Sequence, residues 1–151
     1  MKPLIYKAVM VATVGALMMG GMAAQAAATV LPPVHQRGTV EYLSGGVGLD
    51  ESTAIKNVIN QWPLTLEFAV KDKLRADFAA DVKVIILDAR DHVALKGKSD
   101  GPFLLAKVVP GAYVTKATRA DRTLHKKVAV TSGQPATLVF LWPTGTGEIP
   151  S

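Results

Sequence analysis

The sequence predicts a mainly β protein, a sandwich preceded by one short amphipathic helix. Three observations carry that prediction. Stretches such as LTLEFAV (64–70) alternate apolar and polar residues, as a strand with one buried face requires. Turn-forming residues recur at intervals near ten: 88–91, 98–101, Pro110-Gly111, Ala120-Asp121 and Ser132-Gly133. Only LDESTAIKNVINQW (49–62) shows a helical stripe, with Ile55, Val58, Ile59 and Trp62 on one side.

The elements follow in order. Lys2 and Lys7 precede the apolar stretch Ala8 to Met19, and GGMAAQAAAT follows it, the three-part layout of a secretory signal peptide. Residues 1–26 are assigned to that peptide, with cleavage after Ala28 fitting almost as well. Residues 27–38, with Pro32 and Pro33, read as an extended arm. Residues 39–63 hold a short strand from Thr39 to Leu43, a glycine-rich turn (Gly45, Gly46, Gly48) and the helix. Asp50 and Glu51 stand at the helix start, where unpaired backbone N–H groups favour negative charge, and Pro63 ends it.

Residues 64–143 form the sandwich core. DVKVIILDA puts Val82, Val84 and Ile86 on one face and Ile85 and Leu87 on the other, which suits a central or partly covered strand. HVALK and GPFLLAKVV follow, and then GAYVTKATR and TLHKKVAVT form a hairpin about Ala120-Asp121. In the first arm of that hairpin Tyr113, Thr115, Ala117 and Arg119 share one side and Val114, Lys116 and Thr118 the other, a pattern that supports the hairpin without assigning its buried face. Phe140 and Trp142 in ATLVFLW close the core, and residues 144–151 form a tail.

Composition narrows the function. The formal charge of +5 comes from 17 basic and 12 acidic side chains, and loss of Lys2 and Lys7 lowers it to +3. The remaining basic clusters lack interleaved aromatic residues, which argues against nucleic acid. The absence of Cys excludes disulfides and thiol chemistry. About 124 residues remain after export, enough for one domain with its own core.

The order Val109, Pro110, Gly111, Tyr113, followed by the hairpin and KVAVTSG, resembles the carboxypeptidase regulatory-like group of transthyretin-like sandwiches. The resemblance spans about Leu64 to Trp142 and implies a seven-stranded Greek-key sandwich. It implies no peptidase activity, because the catalytic residues of a carboxypeptidase belong to a different domain. The segment Gly45, Gly46, Gly48, Asp50, Glu51 before such a sandwich also resembles small exported proteins of Gram-negative bacteria. That second likeness implies a periplasmic accessory protein.

Candidate chemistry is sparse. The glycine segment lacks the Lys-Ser/Thr ending of a phosphate loop, and Asp50-Glu51 would repel a phosphate. His35, His92 and His125 are scattered, and DARDH (88–92) offers too few oxygen ligands for calcium, so neither a metal nor another cofactor is expected. A hydrolase would have to assemble Ser99 and Asp100 with His92 or His125, without any nucleophile-elbow sequence. The expectation is therefore a non-enzymatic periplasmic binding or structural protein, with no stable membrane anchor after processing; the alternative is a small periplasmic hydrolase whose site is assembled from loops. Its partner would be a periplasmic protein or a cell-envelope glycan. Tyr42, Trp62, Tyr113 and Trp142 are the candidate contact residues, and LTLEFAV or ATLVFLW a candidate docking edge.

Overall fold

In a computed structural model the described residues are 31–71 and 76–143. The expected signal peptide and C-terminal tail lie outside them. Ten strands form two open sheets, with one helix outside. In chain order they are β1 (His35–Arg37), β2 (Val40–Gly45), α1 (Leu49–Val58), β3 (Leu64–Lys71), β4 (Ala76–Phe78), β5 (Val82–Leu87), β6 (Val93–Ser99), β7 (Phe103–Ala106), β8 (Gly111–Arg119), β9 (Arg122–Val130) and β10 (Ala136–Trp142). The larger sheet runs β1-β2-β7-β3-β10, with β4 added beside β7 on β3; the smaller runs β6-β5-β8-β9.

Alternation decides what each sheet buries. Leu64, Leu66 and Phe68 of β3 meet Val82, Val84 and Ile86 of β5 in one core, which Phe140 and Trp142 of β10 complete. In that core the Phe68 ring centroid lies 5.8 Å from Phe140 and 6.1 Å from Trp142. The indole N–H of Trp142 donates to the Arg122 carbonyl at 3.0 Å, so its polar atom is satisfied at the core's edge.

The opposite face of the larger sheet has its own cover. Leu43 of β2 and Phe103 and Leu105 of β7 point outward and pack with Ile55 and Trp62, while Val58 and Ile59 lie against them. The helical stripe therefore docks as its spacing predicts, although the α-helix ends at Val58 and a single 3-10 turn (Ile59–Gln61) carries the chain to Trp62. With a core beneath and a helix above, β7 is buried at all four residues, which explains why FLLA shows no alternation.

Several expectations change. The described residues contain ten strands, where seven were expected. Part of the arm is a strand, since His35–Arg37 pair antiparallel with Val40–Tyr42 about Gly38. The strand in GPFLLAKVV spans only Phe103–Ala106. LTLEFAV is an interior strand, flanked by β7 and β4 on one side and by β10, in parallel register, on the other. It offers no docking edge, because its ladder groups are already paired.

The glycine segment is a bend, and its chemistry is internal. Gly45, Gly46 and Gly48 have φ of 158°, 100° and 92°. At Gly46 this left-handed geometry favours glycine. Its N–H donates to Oε1 of Glu51 at 2.7 Å, so the carboxylate expected at the helix start reaches back across the bend. A side chain on Gly45 would collide with that same carboxylate.

Candidate binding pocket

Three connections at one end of the sandwich border a half-open pocket of about 240 Å³. The first is the 3-10 turn and its exit, contributing Asn60, Gln61, Trp62 and Pro63. Val108 and Pro110 come from the β7–β8 loop, Val130 from the end of β9, and residues 131–135 from the β9–β10 turn. All the side chains on its wall are uncharged.

Each wall is held locally. The β9–β10 turn closes through Gln134 N–H donating to the Thr131 carbonyl at 3.1 Å, with Gly133 at φ 78°. Ala136 N–H donates to the Pro63 carbonyl at 3.0 Å, tying this turn to the chain beneath Trp62. On the second wall the Tyr113 hydroxyl donates to the Val109 carbonyl at 2.6 Å, an aromatic latch across the Pro110-Gly111 turn. The Lys107 ammonium sits over the Trp62 ring, 4.9 Å from its centre, and 3.3 Å from Glu41, which restrains the indole at its face.

The four candidate aromatic residues do not make one platform. Tyr42 and Tyr113 are each 6% exposed, Trp62 is 7% and Trp142 is 0%. Tyr42 packs in the sandwich core, with His35 at 5.4 Å between ring centroids, and Trp142 fills the core's far side. Only Trp62 lines the cavity described above. Pro110 lines it too, whereas Gly111 opens β8, and the Gly45–Glu51 bend lies at the other end of the sandwich. The amide and hydroxyl side chains of the rim, Asn60, Gln61, Thr131, Ser132 and Gln134, were not singled out from the sequence. They carry no motif and meet only because three loops converge.

The other candidate groups stay apart. Ser99 is wholly buried, and its hydroxyl lies 2.8 Å from the Gly101 carbonyl and 3.1 Å from that of Phe103, where it braces the β6–β7 turn. His92 is beside Asp88, with Nδ1 4.0 Å from Oδ2, and His125 is exposed on β9. DARDH is the β5–β6 turn: Asp88 Oδ1 accepts from the N–H groups of Arg90 and His92 at 2.8 and 2.9 Å. These bonds, that of His92 foremost, hold the Asp88 carboxyl below its ordinary range. Among the described residues no three His, Asp or Glu side chains are grouped to hold a metal ion, and no helix is long and apolar enough to cross a membrane.

No family model, no curated protein and no solved structure matches this chain.

Proposed function

We propose that the chain is an exported, non-enzymatic accessory domain of the periplasm, a transthyretin-like sandwich that holds a neutral unit of a cell-envelope glycan beside Trp62. The observation that carries this reading is the chemistry of the pocket wall: amides, hydroxyls, prolines, one indole and the two valines Val108 and Val130, with no ionisable side chain. Amides and hydroxyls both donate and accept, as the hydroxyl array of a sugar requires. An indole and prolines supply apolar contact for the faces of a ring. The volume of about 240 Å³ suits one small ring rather than a long chain. The Tyr113 latch and the Lys107 contact keep the walls in place before a ligand arrives, which lowers the cost of ordering them.

Tryptophan fluorescence tests the proposal. Titration with oligomers of N-acetylglucosamine and with soluble peptidoglycan fragments is expected to give a saturable change that disappears in Trp62→Phe. Gln134→Ala should weaken binding by roughly tenfold, about the effect of one lost hydrogen bond to a neutral group. Absence of a saturable change with every glycan probe sinks the reading, and saturable binding of an uncharged peptide instead would reassign the pocket to a protein partner.

A further inference from the structure

The outward face of the smaller sheet concentrates positive charge. Lys83 of β5 lies opposite Lys98 of β6, Ile85 is flanked by Lys96 and Lys116, and Val114 of β8 lies opposite Lys127 of β9. Directly opposed residues in antiparallel strands project to the same side, so five lysines share one surface. Burial of Val84, Ile86 and Ala117 identifies the other side as the core face. Arg37 of β1 joins Lys83, Lys96 and Lys98 around an open depression of about 560 Å³.

Little negative charge answers this array. Asp81 lies 3.2 Å from Lys98, with both side chains exposed. Among the described residues no carboxylate is within ion-pair distance of Arg37, Lys83, Lys96, Lys116 or Lys127. Facing Lys83 with Lys98 opposes the fold, since like charges directly across a ladder repel. An external anion would relieve that repulsion.

We infer that this face docks on the anionic headgroup surface of a phospholipid bilayer. A surface of many negative charges fits an array spread over four strands better than a small anion does, because a small anion can neutralise only one corner of it. The side-chain chemistry disfavours the polymeric alternatives. Protein interfaces are enriched in aromatic residues and Arg and depleted in Lys, whereas the outward ladder positions of this sheet hold no Phe, Tyr or Trp, and Arg37 stands beside five lysines. Single-stranded nucleic acid is gripped by aromatic stacking platforms. Lysine ammonium groups on flexible stems can follow mobile headgroups without fixed bidentate geometry. The half-buried Ile85, Leu87 and Val114 leave an apolar strip along which those stems can lie.

Co-sedimentation of the full chain with two vesicle populations tests the inference: phosphatidylcholine alone, and phosphatidylcholine mixed with phosphatidylglycerol. The apolar stretch Ala8 to Met19 would act on both, so the readout is the excess bound to the anionic vesicles. That excess is expected to fall about fivefold for each of Lys83→Gln, Lys96→Gln and Lys98→Gln, and to vanish near about 0.5 M salt. Lys56→Gln, on the helix outside the other sheet, should leave it unchanged. Lys83→Gln removes a like-charge pair, and its thermal unfolding should show a fold at least as stable as the original. No excess on anionic vesicles, or an excess insensitive to the three substitutions, overturns the docking surface. Tighter binding to dextran sulfate or single-stranded DNA than to anionic vesicles at the same salt overturns the bilayer as its partner.

Discussion

Tyr113 illustrates how one side chain serves two neighbours. Its ring is buried in the core, and its hydroxyl ties down the carbonyl four residues upstream. Burial raises its ionisation above the ordinary 10.0, with the charge of Asp88 adding in the same direction. The fold therefore favours the neutral phenol. Its contribution is complete below the ordinary value and is lost as pH rises through the raised one. Tyr113→Phe is expected to lower stability by about 1 kcal/mol at neutral pH, because the exposed loop lets water reach the abandoned carbonyl. The variant should also lose part of the alkaline sensitivity of the original, which denaturant unfolding between neutral pH and roughly pH 11 would measure. Equal alkaline profiles would remove Tyr113 from that role. The Pro110-Gly111-Tyr113 order was legible in the sequence as a turn. The hydrogen bond was not, because it depends on where the Val109 carbonyl points once Pro110 and Gly111 have bent the chain.

At the scale of the element, the bend and helix from Gly45 to Gln61 act as one device. Apolar spacing places Ile55 against Leu43 and Leu105, and the Glu51 carboxylate fastens the helix's first turn to the Gly46 amide. Glu51→Ala would leave the part-buried Gly46 N–H without its charged acceptor, which is expected to cost about 1–3 kcal/mol in urea unfolding. Glu51→Gln retains an acceptor oxygen and should lose less. If both variants match the original, the carboxylate is not what fastens the bend. The sequence located every part of this device, Gly45, Gly46, Gly48, Asp50 and Glu51, and the acidic pair's place at the helix start. It left the division of labour open: Glu51 turns back to the bend, whereas Asp50 is exposed.

For the whole molecule, the larger sheet is the shared partition between two apolar clusters. Tyr42 and Leu104 face one cluster while Leu43 and Leu105 face the other, so adjacent residues of β2 and β7 couple them. Ile55→Ala should cost about 2–5 kcal/mol by leaving a cavity under the helix. Because the partition is common, the loss is expected in one cooperative transition. Single-tryptophan variants can report it, since Trp62 and Trp142 lie in different clusters. A Trp62 signal that melts well before that of Trp142 would make the helix layer a separate unit.

The sequence by itself determined the mainly β class, the helix and its apolar stripe, and the hairpin about Ala120-Asp121. Each follows from periodicity or turn chemistry within a dozen or so residues. Only the tertiary structure decided that β10 lies parallel to β3, that β3 is interior, and that α1 covers β2 and β7. Strand order depends on pairings between distant segments, and alternation is the same whichever neighbour a strand takes. For the same reason Trp62 finds the uncharged rim of Gln61, Thr131 and Gln134 only in three dimensions, and lysines dispersed from Lys83 to Lys127 become a single charged face only when β5, β6, β8 and β9 lie side by side.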